Sequence, residues 1–192
     1  NSTGFGAKHF QVGLKKWGQT MQDDINDGAL HLVKEGIADR SRMCIHGGSY
    51  GGYAAAMGAV RDPELWRCAS PFIAVTDLPL LMTASESDAS AEFLRTDIRK
   101  MIGDIDTERA MLEKYSPARD VSKVKAPILL AMGSDDRRVP IVHGNRFHDA
   151  LVAAGKKVEY VVYPGEGHGF NKDENVFDFY RRLEKFFAEN LK

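Results

Sequence analysis

A serine framed by glycines follows a short apolar run in the segment 42–53, which reads Arg-Met-Cys-Ile-His-Gly-Gly-Ser-Tyr-Gly-Gly-Tyr. The apolar run ends at Ile45, the spacing Gly-x-Ser-x-Gly occupies 47–51, and small residues at helical spacing continue to Val60. This order predicts a strand, a sharp turn and a helix. Glycines on both sides of the turn leave room for a central residue in strained backbone geometry. The pattern therefore predicts that Ser49 projects from the turn with its hydroxyl exposed.

A strand-to-helix turn of this kind is the nucleophile elbow of an α/β hydrolase. Tyr50 follows Ser49 and opens the predicted helix, and the N-terminus of a helix favours negative charge. We therefore predict Ser49 as a nucleophile and the Tyr50 N–H as one donor of an oxyanion hole. The motif alone leaves open a glycine-rich turn with an incidental serine.

Strand-like and helix-like segments alternate along the chain, and this alternation predicts βαβ units with a mostly parallel sheet flanked by helices, the α/β class. The predicted strands are Met43–His46, Cys68–Val75, Pro127–Met132 and Val158–Tyr163. The predicted helices are Trp17–Gly36, Tyr50–Val60, Ala91–Met101, Thr107–Lys114, Val139–Ala154 and Asn175–Leu191. The segment 127–132 is a continuous apolar run, typical of a strand buried on both faces of a parallel sheet, and the strand at 158–163 is predicted to be buried in the same way. Segments 1–13 and 77–90 are predicted to be irregular.

Length and composition indicate one ordinary globular domain over residues 1–192. The chain has 192 residues, of which 43% are hydrophobic and 28% are charged, and this is enough for one sizeable core. A net charge of −1 with interspersed signs gives no reason to expect nucleic-acid or membrane binding.

The cysteines and histidines do not show the spacing of metal ligands, so we expect no metal and no cofactor. Cys44 and Cys68 each open an apolar, strand-like run. We predict that both are buried free thiols, with a disulfide as the alternative.

A catalytic serine needs a base and an acid that orients this base. In α/β hydrolases the acid and the histidine follow the serine in that order, each after a strand. The strand at 127–132 leads into Gly-Ser-Asp135-Asp136, and the strand at 158–163 leads into a glycine-rich loop with His168. We therefore predict His168 as the base, while Asp135 and Asp136 remain equal candidates by position. His46, next to the elbow, is expected to be a packing residue.

Several motifs together give the chain a resemblance to a known family. It resembles the catalytic domain of the prolyl oligopeptidase family, in the branch of dipeptidyl aminopeptidases and acylaminoacyl peptidases. The matching motifs are Ser2–Gly6, Trp17-Gly18, Asp23-Asp24, Gly36–Asp39 with Arg42, Gly47–Tyr53, Ser116-Pro117, Gly133–Pro140 and Tyr163–Phe170. The resemblance implies the triad Ser49, Asp136 and His168, because the acid of the family precedes Val-Pro with two residues between. It also implies that Arg138 arranges the acid loop or contacts the substrate backbone.

The family pattern continues upstream of Ser2, with further strands, a loop that supplies the second oxyanion donor, and a β-propeller that restricts access to oligopeptides. We therefore expect the N-terminal strands to be missing from this chain, leaving one edge of the elbow strand uncovered. The expected partner at that edge is the missing N-terminal part of the same protein or another copy.

The leading functional hypothesis is a serine peptidase that hydrolyses short peptides through an acyl-enzyme. A carboxylesterase with the same triad is the alternative among enzymes, and a catalytically silent fragment without its second oxyanion donor is the alternative outside them. The candidate substrate-binding residues are Tyr53, Val75 and Arg138, around a pocket for an apolar or small side chain.

Overall fold

Parallel strands organise the computed structural model, which describes residues 2–192. Within these residues the sheet is four-stranded, with the order β1-β2-β3-β4 and parallel pairing throughout. The strands are β1 (Cys44–Gly48), β2 (Cys68–Phe72), β3 (Ile128–Gly133) and β4 (Val158–Tyr163). The predicted α/β class with a mostly parallel sheet is therefore confirmed.

Helices connect the strands and cover both faces of the sheet. They are α1 (Ala7–Val12), α2 (Thr20–Lys34), α3 (Tyr50–Arg61), α4 (Leu78–Thr83), α5 (Ala91–Phe93), α6 (Arg99–Met101), α7 (Arg109–Lys114), α8 (Val142–Ala153) and α9 (Asp173–Asn190). A π-helical turn at Leu94–Ile98 joins α5 to α6, and short 3₁₀ turns lie at Pro117–Arg119 and Val121–Lys123. None of the helices within residues 2–192 combines the length and the apolar character needed to cross a membrane.

The buried residues of β3 alternate between two cores. Ile128, Leu130 and Met132 face the larger core, which is built with α3 and α8. Leu129 and Ala131 face the smaller core, which is closed by α9. Alternation between the faces of a strand follows from its two-residue period, so an apolar run such as 128–132 fills both layers at once.

The prediction that β4 is buried on both faces is wrong. Glu159 and Val162 of β4 are exposed, and Val162 retains 37% of its accessible surface. Within residues 2–192, β4 pairs only with β3 and forms one edge of the sheet. Of residues 158–163 only Tyr163 is buried, and the others are partly buried or exposed.

Two segments predicted to be irregular contain short helices. Helix α1 buries none of its residues, so it has no apolar face that the sequence could reveal. Helix α4 begins after Asp77, whose side chain accepts the Leu80 N–H at 3.0 Å. Pro79 stands in its first turn, where its missing N–H is not needed.

The prediction that the two cysteines are free thiols is also wrong. Cys44 and Cys68 are direct partners in the β1–β2 register and form a disulfide, with their Cα atoms 4.6 Å apart. The two residues open their strands, and in-register pairing of the strands therefore brings them together. The two cysteines are 24 residues apart in the sequence, so their contact is not visible before the strand pairing is known.

The outer edge of β1 pairs with no strand in the part of the chain that the structure describes. A groove at the start of β1 is lined mostly by apolar side chains, including Leu32 of α2, Met43 immediately before β1 and Phe187 of α9. An unpaired strand edge presents free N–H and C=O groups, which are a template for a further strand.

Replacing both cysteines by alanine should lower stability under oxidising conditions. For a cross-link that closes about 24 residues, the lost constraint on the unfolded chain is worth about 3 kcal/mol. Chemical denaturation of the natural protein and the Cys44→Ala/Cys68→Ala variant measures this difference, which should shrink when both are reduced. Peptide mapping without reductant should recover the linked peptides, and recovery of two alkylated thiols would contradict the disulfide.

Candidate active site

Ser49 occupies a strained turn between β1 and α3. Its backbone has φ 58° and ψ −115°, in the region that residues with a side chain rarely adopt. The Ser49 N–H donates to the Phe72 carbonyl at 3.0 Å, and the Ser49 carbonyl accepts the Tyr53 N–H at 3.0 Å. The turn is thus held from β2 below and from α3 beyond, which agrees with the predicted elbow.

The backbone approaches itself closely at two of the glycines around Ser49. A Cβ at Gly47 would lie 2.6 Å from the carbonyl carbon of Gly51. A Cβ at Gly52 would lie 2.5 Å from the Phe72 carbonyl oxygen and 2.8 Å from the Ala74 Cβ. Glycine is therefore needed at these positions for space, since the first turn of α3 rests directly on the end of β2.

Gly51 and Gly52 provide a matched pair of substitutions. Gly52→Ala should destabilise the protein by about 1–3 kcal/mol or more, because the methyl group forces the elbow away from β2. Gly51→Ala meets nothing within 4 Å and should be neutral or gain up to about 1 kcal/mol, since alanine favours a helix. Thermal unfolding and labelling of Ser49 by a fluorophosphonate measure both effects; equal behaviour of the two variants would contradict the close approach at Gly52.

His168 links the serine to a buried carboxylate. Its Nδ1 lies 2.8 Å from Asp136 Oδ2, and its Nε2 lies 2.8 Å from Ser49 Oγ. When Nδ1 carries the proton, it donates to Asp136, and Nε2 is free to accept the Ser49 hydroxyl proton. The structure therefore brings together the three side chains predicted for the triad.

Asp136, and not Asp135, is the carboxylate at His168. Asp136 is 3% exposed, and its Oδ1 accepts the backbone N–H groups of Arg138 and Val139, each at 2.9 Å. The side chain of Asp135 is exposed and accepts the Ser134 hydroxyl at 2.5 Å. Position in the sequence left the two aspartates equal, and the choice that the family resemblance implied is the one this geometry favours.

Tyr50 is the first residue of α3, and the N–H at this position has no partner within the helix. Its ring packs edge-on against Trp17, with centroids 4.6 Å apart. Burial, with a smaller contribution from Asp24, raises the pKa of the Tyr50 hydroxyl to about 12. The hydroxyl is thus neutral at ordinary pH.

A mostly apolar cavity of about 160 Å³ opens beside Ser49. It is lined by Trp17, Ser49, Tyr50, Val75, Leu81, Ser87, Ala89, Phe93, Leu94, Ile98, Met101, Ile102, Arg138 and Val139. Two of the three predicted substrate-binding residues, Val75 and Arg138, therefore lie at the cavity. The Arg138 guanidinium contacts the Asp88 carboxylate at 3.3 Å and keeps 63% of its side-chain surface exposed.

The structure does not bring Tyr53 into this cavity. Tyr53 is fully buried, and its hydroxyl donates to the Tyr115 carbonyl at 2.9 Å. Its ring lies 5.1 Å from that of Trp17 and 5.9 Å from that of Tyr50. Tyr53 therefore packs behind Trp17 and Tyr50, which line the cavity.

The segment from α5 to α6 forms a wall of the cavity, although none of its residues is among the predicted substrate-binding residues. Phe93, Leu94, Ile98 and Met101 all line it, and Leu94 and Ile98 are the ends of the π-helical turn. The apolar residues of this segment are visible in the sequence. Their common direction depends on the wider turn of a π-helix, which no residue pattern specifies.

Two other histidines lie outside the predicted triad. The expectation that His46 is a packing residue is met only in part: the residue is exposed on β1, its Nδ1 lies 2.8 Å from the Ser70 carbonyl, and its ring centroid is 5.9 Å from that of Phe179. His143 is fully buried, and burial lowers its pKa to about 4. Within residues 2–192 no three His, Cys, Asp or Glu side chains form a group that could hold a metal ion.

Comparison with known proteins places this chain among peptidases. The model of the prolyl oligopeptidase family matches residues 1–192. The chain belongs to this family. Dipeptidyl aminopeptidase BIII of Pseudoxanthomonas mexicana is 32% identical over 192 residues, which are 99% of this chain and 28% of that protein. The chain thus spans about a quarter of the length of the curated relatives it matches.

Solved structures show the same fold. A puromycin-hydrolyzing peptidase of Mycobacterium tuberculosis superposes with a TM-score of 0.90 at 28% identity, over 99% of this chain and 28% of that chain. The acylaminoacyl peptidase of Pyrococcus horikoshii gives a TM-score of 0.89 at 26% identity, over 98% of this chain and 31% of that chain. These similarities confirm the predicted α/β-hydrolase fold, and the proteins that the chain resembles are named as peptidases.

Proposed function

We propose that this chain carries the catalytic triad of a serine peptidase that hydrolyses short peptides through an acyl-enzyme. The observation that carries the proposal is the hydrogen-bonded series Ser49–His168–Asp136, with both contacts of His168 at 2.8 Å. The series stands at the carboxyl ends of β1, β3 and β4, where ligands bind in open parallel sheets.

In the proposed reaction, Ser49 Oγ attacks the carbonyl carbon of the scissile amide while its proton passes to His168 Nε2. The Tyr50 N–H stabilises the negative oxygen of the tetrahedral intermediate. His168 then gives the proton to the leaving amine, the C–N bond breaks, and an ester of Ser49 remains. Water attacks this ester with the same help from His168, releasing the acid and restoring the serine; Asp136 holds the ring and stabilises the imidazolium in both halves.

The cavity beside Ser49 suits an apolar side chain next to the scissile bond. Val75 and the segment 93–102 supply apolar walls, and the guanidinium of Arg138 stands at the rim, where it can donate to a substrate carbonyl. Peptide substrates are also supported by the relatives, which are named as a dipeptidyl aminopeptidase and acylamino-acid-releasing enzymes.

The active protein in this proposal is longer than the chain of 192 residues. Its relatives extend well beyond the matched part, and β1 offers an unpaired edge flanked by an apolar groove. We propose that residues 1–192 belong to one catalytic domain, and that another part of the same polypeptide covers β1 and supplies the second oxyanion donor.

The two neighbouring aspartates test the triad directly. Asp136→Asn in the natural full-length protein should lower kcat by about 10⁴-fold, because the amide stabilises the wrong tautomer of His168. Asp135→Asn, which changes an exposed side chain, should leave kcat within about 2-fold, since surface substitutions are usually near neutral. Fluorophosphonate labelling followed by peptide mapping should mark Ser49. Similar losses in the two variants, or labelling at another serine, would contradict the assignment.

A panel of substrates tests the peptidase assignment. Aminoacyl-arylamides and short peptides with Leu, Met or Phe before the cut should be turned over with a kcat/KM about 10²-fold above those with Asp or Lys, because an unpaired charge in an apolar cavity costs several kcal/mol. Steady-state kinetics on the full-length protein measures the ratios. Turnover of short-chain esters without any turnover of amides would instead indicate a carboxylesterase.

A further inference from the structure

A buried carboxylate stands two residues before His168. Glu166 is 1% exposed, and a buried charge is tolerated only when hydrogen bonds replace its water. Its carboxylate accepts the backbone N–H groups of Asn171 at 2.8 Å and Lys172 at 3.1 Å, and the side-chain N–H of Asn175 at 2.7 Å. These donors lie in the segment that enters α9, so the side chain ties the end of the loop to the start of that helix.

The charge on Glu166 is maintained by these donors. Burial raises the pKa of the carboxyl, and the hydrogen bonds from Asn171, Asn175 and Lys172 outweigh burial, so the pKa lies below its usual value. Glu166 is therefore an anion near neutral pH and offers only acceptor oxygens to its donors.

The backbone of the same residue holds the loop that carries the acid. The Glu166 carbonyl accepts the Asp135 N–H at 2.9 Å, one residue before Asp136. A Cβ at Gly133 would lie only 2.3 Å from this carbonyl oxygen, so the two loops are in direct backbone contact. Beside this contact, the Gly165 N–H donates to Ser134 Oγ at 2.8 Å.

The loop around His168 has little intrinsic stiffness. Gly165, Gly167 and Gly169 alternate with Glu166 and His168, and Gly165 and Gly169 have φ of 71° and 102°. Glycine adds conformational freedom to a chain that lacks regular hydrogen bonding. The position of His168 therefore depends on contacts that its neighbours make outside the loop, and Glu166 makes such contacts on both sides.

We propose that Glu166 is a positioning residue for His168. Its carboxylate anchors the loop to α9, its carbonyl anchors the loop to the segment that carries Asp136, and the imidazole is thereby held between Asp136 and Ser49. This inference rests on the proposed function, because positioning by Glu166 affects the reaction only if His168 transfers the protons.

Mispositioning of His168 has a chemical signature. Cleavage of an amide requires His168 to deliver a proton to the leaving amine, whereas nitrophenolate leaves without a proton. A displaced imidazole therefore slows amide hydrolysis more than hydrolysis of a nitrophenyl ester. Partial unfolding lowers both rates by the same factor, so the amide-to-ester ratio separates positioning from stability.

The test compares Glu166→Gln with Glu174→Gln in the natural full-length protein. Glutamine at 166 keeps the size of the side chain but turns an N–H group toward the donors that bound the carboxylate. Glu174 lies in the first turn of α9 with an exposed side chain, and this makes it a matched control. Glu166→Gln should lower kcat for an aminoacyl-arylamide by roughly 10- to 100-fold, with KM little changed and a smaller loss on the nitrophenyl ester. Glu174→Gln should leave both rates unchanged.

Equal losses on the amide and the ester, or unchanged rates, would overturn the positioning role of Glu166. If Glu166→Gln does not fold, Asn175→Ala applies the same test, because it removes one donor from the carboxylate and leaves both backbone donors; an unchanged amide-to-ester ratio would then overturn the proposal. A natural protein that neither hydrolyses the arylamide nor labels at Ser49 would contradict the proposed function itself, and this inference with it.

Discussion

The carbonyl oxygen of Phe72, at the end of β2, is the contact on which the rest of the site depends. It accepts the Ser49 N–H at 3.0 Å, and it lies where any Cβ at Gly52 would clash. One oxygen thus holds the turn from below and sets how closely α3 approaches the sheet. Strain in the backbone of Ser49 persists only because its surroundings determine it on every side. β2 is in turn joined to β3, where the Ile73 N–H donates to the Ala131 carbonyl at 2.8 Å.

The geometry of the parallel sheet brings the other two side chains of the site to Ser49. All carboxyl ends of parallel strands meet at one edge, so residues that follow β1, β3 and β4 converge although their sequence positions are far apart. Ser49 and His168 are 119 residues apart and stand within hydrogen-bonding distance. Asp136 is held at the same place by its own turn. Its carboxylate accepts the backbone N–H groups of Arg138 and Val139, and this fixes the direction of the side chain.

Polar anchors hold the parts of the site that lie outside regular structure. Asp77 is 2% exposed, caps α4, and contacts the guanidinium of Arg119 at 3.1 Å. Asp136 and Glu166 are buried carboxylates with several N–H donors each. Loops cannot satisfy their backbone by a ladder of hydrogen bonds, and a buried carboxylate can collect the donors they leave free. Removing one donor from a buried carboxylate costs free energy of folding, so the carboxylate and its donors hold a fixed arrangement.

Much of this arrangement was predictable from the sequence because its signals are local. Apolar runs located all four strands of the sheet within residues 2–192, and the order of Ser49, an aspartate and His168 predicted the side chains that the structure brings together, apart from the choice of Asp136. The disulfide was predicted only as the alternative, because the pairing register of two strands is not a local property of the sequence. The position of Tyr53 was predicted wrongly because the sequence does not show whether an aromatic side chain lines the cavity or packs behind its wall. The edge position of β4 escaped for a related reason, since an apolar run does not reveal how many neighbours a strand has.

The wall formed by 93–102 has a consequence for how such a site can change during evolution. This segment leaves the sheet after β2 and returns before β3, and it contributes none of the three triad residues. Insertions and substitutions there can alter the shape of the cavity while the sheet and the elbow stay as they are. Relatives with one catalytic machinery can therefore diverge in what they accept, with selection acting on a few turns of helix.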